Sequence, residues 1–184
     1  MQNMCRYDPD EFSARTLIVV DAQNDFIHGC LGSKDAAAVV PNIVQKIKEY
    51  KQNDWAVIAT QDTHHGNYLQ THEGKLLPVE HCIEGSNGWQ IESSIEALLL
   101  TDMHIKKDGF MFPHWQYYSP LIQHGVIEVV GFCTDICVVS NALYLRAAYP
   151  ENDIVVDSKC CAGTSAEAHE AALTVMRSCQ IEVI

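Results

Sequence analysis

The chain of 184 residues sets 12 Lys and Arg against 24 Asp and Glu, a formal charge of −12, with 47% hydrophobic residues. That balance argues against nucleic acid or an anionic membrane surface as the main partner, and no apolar run reaches the roughly 20 residues of a membrane span. The segment MQNMCRYDPDEF has no basic-plus-apolar leader pattern, so the protein is read as cytoplasmic and its eight cysteines as reduced thiols. None forms a C-x-x-C pair, and the adjacent Cys160 and Cys161 are too close for an ordinary mutual disulfide. No Pro/Gly/Ser-rich linker interrupts the chain, so residues 1–184 are expected to form one domain. Alternating strand-like and helix-like segments predict an α/β fold, a mostly parallel sheet with helices on both faces.

Residues 1–14 are polar and acidic, a surface lead-in. TLIVV at 16–20 is a buried strand that runs into Asp21. An acid there either caps a following turn or faces the crevice; AQNDF shows no immediate helix, which favours the crevice. Gly29, Gly32 and Ser33 make a loop, and a helix over 36–50, with Pro41 as an alternative start, turns Val39, Ile43, Ile47 and Tyr50 inward and Lys46, Lys48 and Lys51 outward. WAVIAT at 55–60 is the second strand. The irregular stretch 61–89 is too long for a plain connection and carries Asp62, His64, His65, His72, Glu73 and His81. Asp62 and His64, two apart at a strand end, can face one ion with His81 as a third ligand. Two imidazoles and a carboxylate suit zinc, iron or manganese; a solvated His-rich loop is the plainer alternative.

A helix is expected over 91–100 and a third strand over 103–107, whose adjacent Lys106 and Lys107 point to opposite faces, so at most one enters the crevice. Phe110, Phe112, Pro113 and Trp115 suit closure over a flat ligand or a subunit contact, as do Trp115, Tyr117 and Tyr118 at an oligomer surface. After a short helix over 117–124 comes the central motif: a strand over 126–130 ending at Gly131, a tight turn, and a helix over 136–145. Thr134 is the expected N-cap, Asp135 adds a first-turn carboxylate, and Cys137 lies where helix amides favour thiolate. A strand over 153–156, a Cys-Gly loop, a helix over 165–178 and a strand over 181–184 complete the chain, with His169 packed or solvated.

Asp21, Lys107 and Cys137 stand at or just past the ends of the first, third and fourth strands, able to meet at one rim of a parallel sheet. They supply a proton acceptor, a cation and a nucleophile, and the amides of Cys137 and of the turn before it can bind an oxyanion. These segments, VVDAQNDF, TQDTH, LPVEHCIEGSNGW, IKKDGF, GFCTDICV and DSKCCAGTSAEAHEAAL, resemble the isochorismatase-like cysteine hydrolases, the family that includes nicotinamidases, over nearly the full length. The resemblance implies a sheet of order 3-2-1-4-5-6, with Asp21 as general base and acid, Lys107 as activating cation and Cys137 as nucleophile. It also implies a cis peptide between Phe132 and Cys133, whose amide would share the oxyanion hole with that of Cys137. Lys107 is chosen over Lys106 because Phe110 then follows at the family's usual spacing. A divalent metal, zinc first with iron or manganese as alternatives, would sit on Asp62, His64 and His81 with Glu73 as a further acidic ligand. Phe26, Leu77 and Phe110 would contact substrate, although Leu77 replaces the family's usual aromatic. The implied activity is hydrolysis of a small carboxamide, nicotinamide foremost, in a homo-oligomer. The alternatives are an isochorismatase-type or ureide substrate, or a metal or thiol module without turnover.

Overall fold

In the computed structural model, residues 15–99, 103–122 and 125–184 are described; the 1–14 lead-in lies outside them. Six parallel strands, β1 (Arg15–Val20), β2 (Ala56–Asp62), β3 (His104–Lys107), β4 (Val126–Phe132), β5 (Asp153–Ala162) and β6 (Glu182–Val183), form one sheet of order β3-β2-β1-β4-β5-β6. Leu17, Ile18, Val19 and Val20 are all fully buried. Successive strand residues point to opposite faces, so β1 is covered on both, and each such side chain contributes about 1.5–3 kcal/mol. The order reverses between β1 and β4, where Val20 pairs Gly131, which opens a crevice beyond their carboxyl ends.

The helices are α1 (Asn24–Ile27), α2 (Lys34–Gln52), α3 (His72–Leu76), α4 (Ser93–Glu96), α5 (Ser119–Ile122), α6 (Val139–Ala148) and α7 (Ala166–Ser178). α2 packs across β1, β2, β4 and β5, while α6 and α7 lie against β5. The Ser33 hydroxyl accepts from the Ala36 amide at 3.0 Å and sets the start of α2 at Lys34, ahead of both expected starts, with Pro41 carried inside on the solvent side. Lys46 does not face outward. Its ammonium lies 2.7 Å from Glu128 and 2.9 Å from Asp157, and Tyr50 donates to the other Glu128 oxygen at 2.6 Å, because β4 places a buried carboxylate under this helix face.

Other boundaries shift for local reasons. A one-turn helix, α1, begins three residues after Asp21, and Gln23 rather than Asp21 stands at its cap. The helix expected over 91–100 shrinks to α4, capped by the Glu92 carboxylate, with residue 100 outside the described residues. The 117–124 helix is a 3-10 turn, Trp115–Tyr118, continued by α5; residues 123 and 124 lie outside the described residues. Trp115 is fully buried and so is no surface contact. β5 runs through Cys160 and Cys161, where a loop was expected, because the register shifts between Val129 and Gly131 and pairs Gly131 with Cys161. Gly131 has φ +119°, and a Cβ there would lie 2.1 Å from the Val20 carbonyl oxygen, so only glycine fits this close approach of β4 to β1.

Candidate active site

Asp21 leaves β1 at φ +49°, a left-handed conformation that aspartate tolerates better than most residues. Its amide donates to the Thr60 carbonyl at 3.2 Å, and the Thr60 hydroxyl donates to Asp21 Oδ1 at 2.7 Å, so β2 fixes both backbone and carboxylate. In β3, Lys106 turns outward to Glu84 at 2.7 Å and over the Trp89 ring at 4.9 Å. Lys107 turns inward. Its ammonium lies 2.7 Å from Asp21 Oδ2, 3.3 Å from Asp62 Oδ1 and 3.6 Å from Cys137 Sγ, and donates to the Gly109 carbonyl at 3.0 Å. The three side chains are gathered at one point, all within 5% of full burial.

This dry setting decides the charges. Burial disfavours the Lys107 ammonium, yet Asp21, Cys137 and Asp62 outweigh it and hold the lysine charged, well above its ordinary range. Burial raises the Asp21 carboxyl, with Lys107 opposing. Burial, then the Asp21 charge, push the Cys137 thiol well above its usual value against the pull of Lys107. Burial and the Asp21 charge thus oppose, at Cys137, the preference for thiolate expected from a helix N-terminus. The local structure also differs from that expectation, since Thr134–Val138 is a π-helical turn and Cys133 stands at its cap without a side-chain bond. Thr134 instead shares a hydrogen bond with His169 Nδ1 at 2.8 Å. The Asp135 carboxylate accepts from the Thr164 amide at 2.8 Å and hydroxyl at 2.6 Å, tying the turn to the β5–α7 loop. The Phe132–Cys133 peptide is cis. The Cys133 thiol is pushed up to about 12 by burial and by Asp135, so it stays protonated and inert.

Beside this trio, Asp62, His64 and His81 bring one ligand atom each within 4.8 Å of one another. His64 Nε2 lies 3.0 Å and His81 Nε2 3.7 Å from Asp62 Oδ2, and Glu73 Oε1 is 3.7 Å from both imidazole nitrogens. His81 Nδ1 bonds the Val79 carbonyl at 2.8 Å, which leaves Nε2 as the ligand atom. His64 Nε2 is buried and faces Asp62 Oδ2 directly, so imidazole and carboxylate converge on one point with His81 Nε2 beside them. These donors fit a divalent metal. His65 and His72 are exposed and take no part. Phe26 is buried edge-on to His81 at 5.6 Å, whereas Leu77 and Phe110 are 37% and 50% exposed.

A description of the isochorismatase domain matches residues 15–184. The chain belongs to the isochorismatase family. It is 28% identical over 206 residues to the nicotinamidase of Schizosaccharomyces pombe, covering 91% of each chain. The solved nicotinamidase/pyrazinamidase of Bacillus subtilis superposes with TM-score 0.81 at 23% identity, over 92% of this chain and 98% of that one. The Pyrococcus horikoshii pyrazinamidase in complex with zinc superposes with TM-score 0.76 at 21% identity, over 92% and 98%.

Within this isochorismatase-family chain the structure adds residues that sequence reasoning passed over. Gln23, fully buried, accepts from the Asp62 amide at 2.7 Å and donates to the Asp62 and Trp89 carbonyls at 2.8 Å, clamping the end of β2 at the Asp62–His64–His81 cluster. Tyr68 packs between His64 and His81 at 4.7 and 5.0 Å and donates to the Leu77 carbonyl at 3.0 Å. Asp25 accepts from the Cys82 amide at 2.8 Å, holding the loop next to His81. Gln23 and Asp25 lie in DAQNDF and were findable from that motif; nothing local marks Tyr68.

Proposed function

We propose that the protein is a cysteine-dependent amidohydrolase of a small carboxamide, converting nicotinamide to nicotinate and ammonia through a thioester. The observation that carries this reading is the Lys107 ammonium at 2.7 Å from Asp21 and 3.6 Å from Cys137, next to the Asp62–His64–His81 cluster. The family membership and the nicotinamidase relative support it.

Asp21 takes the thiol proton as Cys137 Sγ attacks the carboxamide carbon, and Lys107 balances the charge that passes from carboxylate to sulfur. The tetrahedral oxyanion accepts hydrogen bonds from the Cys133 and Cys137 amides. Asp21 returns its proton to the nitrogen, the C–N bond breaks and ammonia leaves. Water, deprotonated by Asp21, attacks the thioester; the C–S bond breaks and the acid departs with the thiol restored. Asp62, His64 and His81, with Glu73 facing them, would hold the divalent ion, zinc in this reading, which when bound supplies a Lewis acid for a ring nitrogen. Phe26 walls the cation side, and Phe110 lies at the rim.

Ammonia release from nicotinamide and a panel of small amides and ureides, with metal analysis of the purified protein, tests the reading. Cys137→Ala should abolish turnover with fold and metal content intact; substantial residual turnover would overturn the mechanism.

A further inference from the structure

Asn141 is fully buried in α6, one turn beyond the nucleophile, and all four of its hydrogen-bonding positions are used. Its Nδ2 donates to the Cys137 carbonyl at 2.8 Å and the Phe110 carbonyl at 3.2 Å. Its Oδ1 accepts from the Phe112 amide at 3.1 Å and the Trp115 indole at 3.0 Å. Two carbonyls on one side and two N–H donors on the other fix the amide orientation, since a flip would oppose like with like at all four contacts.

These partners belong to two separate pieces of the site. Cys137 sits in the π-helical turn after β4, and residues 109–115 follow β3, in which Gly109 holds the Lys107 ammonium through its carbonyl. Among the described residues, Asn141 is the side chain that bonds both the backbone of Cys137 and the loop over Phe110 and Phe112. The nucleophile turn and the half-exposed Phe110 are thus joined through one carboxamide.

We propose that Asn141 is a positioning residue that locks the lysine-side loop to the nucleophile turn, setting both the distance of Lys107 from Cys137 and the seat of Phe110 at the substrate rim. For catalysis this rests on the amidohydrolase reading, but its effect on the thiol does not. Asn141→Asp keeps the shape and the two accepted bonds while setting a carboxylate oxygen against the Cys137 and Phe110 carbonyls, so turn and loop part.

The test measures iodoacetamide alkylation of Cys137 by peptide mass spectrometry, with the exposed Cys30 and Cys179 of the same molecule as references, alongside kcat and KM for nicotinamide. In N141D, Cys137 alkylation should slow by about tenfold relative to the references, kcat should fall by at least that factor and KM should rise. The defect should shrink as pH falls, because a protonated carboxyl can again donate to the Cys137 carbonyl. A folded N141D with wild-type Cys137 alkylation, kcat and KM overturns the proposal. Should N141D fail to fold, Asn141→Ser serves: its hydroxyl can still bond the Cys137 carbonyl but reaches none of the loop partners, and wild-type reactivity in that folded variant overturns the proposal equally. Wild-type protein that releases no ammonia from any amide would refute the functional reading and leave the alkylation comparison to decide this one.

Discussion

Replacing Asp21 by Asn should separate the reactivity of the nucleophile from turnover. Asp21 and Cys137 compete for one cation. At an effective dielectric of about 20, a carboxylate 2.7 Å from the Lys107 ammonium gains about 6 kcal/mol and a thiolate at 3.6 Å about 4–5 kcal/mol, so the carboxylate wins and the thiol keeps its proton. In Asp21→Asn the ammonium has the buried sulfur and the more distant Asp62 as anionic partners; burial still raises the thiol, but the Asp21 repulsion that added to it is gone. Alkylation of Cys137 at neutral pH should therefore accelerate, by about tenfold or more, with Cys30 and Cys179 unchanged. Turnover should nevertheless fall by about 10²–10⁴, because no group remains to protonate ammonia or deprotonate water. The assay is an iodoacetamide pH–rate profile beside ammonia release. Slower alkylation in Asp21→Asn would show that Asp21 ionises the thiol at rest, and turnover within about tenfold of wild type would remove it from proton transfer; either result refutes the reasoning.

Chelation should strip the metal and depress nicotinamide binding while Cys137 still alkylates, and His64→Ala or His81→Ala should lower bound metal in elemental analysis; full metal content in both variants would exclude this cluster. Lys46→Met leaves Glu128 buried beside Asp157 with Tyr50 its remaining donor among the described residues, and should cost about 3–5 kcal/mol in urea unfolding at pH 8. Burial raises the Asp157 carboxyl, but Lys46 outweighs it and holds it below the usual range. Its stabilisation is therefore fully present above the unfolded value near about 4 and lost as pH falls through the lower folded value, so the gap between Lys46→Met and wild type should narrow in acid. A gap that widens there would contradict the assignment. Gly131→Ala, whose Cβ meets the Val20 carbonyl at 2.1 Å, should lower stability by at least about 2 kcal/mol, and an unchanged melting temperature would refute the close approach.

The strands and the rim were legible because β1, β2 and β4 are apolar runs that end on polar or glycine positions, the pattern of strands buried on both faces, whereas the strand order came from the family resemblance alone. Asp62 and His64 could be grouped because side chains two apart leave a strand end on the same side. What escaped were contacts that no local pattern encodes. Lys46 has helical spacing consistent with either face, and only Glu128 and Asp157, far along the chain, decide it. The thiol state of Cys137 escaped for the same reason: the helix-terminus argument is local, whereas burial and the Asp21 charge come from β1. An aromatic run announces packing but not its direction, so Trp115 looked like surface and lies in the core on Asn141. The length of β5 depended on a bulge within β5 itself, which advances from Val156 to Cys161 while β4 advances only from Val129 to Gly131.

Register explains how a four-residue edge strand delivers the right lysine. β3 pairs with β2 through Ala59–His104 to Asp62–Lys107, and a slip of one residue would exchange Lys107 for Lys106 at the site, since neighbouring side chains face opposite ways. Hydrogen bonds along so short a strand discriminate weakly between the two registers. The outer lysine supplies what the ladder lacks: it meets Glu84 and lies over Trp89, whose indole donates to the Thr63 hydroxyl at 2.9 Å, one residue beyond β2. An exposed ion pair of this kind adds less than about 1 kcal/mol of stability. A slip that seats Lys106 at the Asp21–Asp62 pair would bring Ile105 to the outer position and leave Glu84 and Trp89 without their lysine. Two buried carboxylates without a cation cost several kcal/mol, so the Asp21–Asp62 pair requires a lysine from β3, and the outer contacts of Lys106 select which of the two faces it.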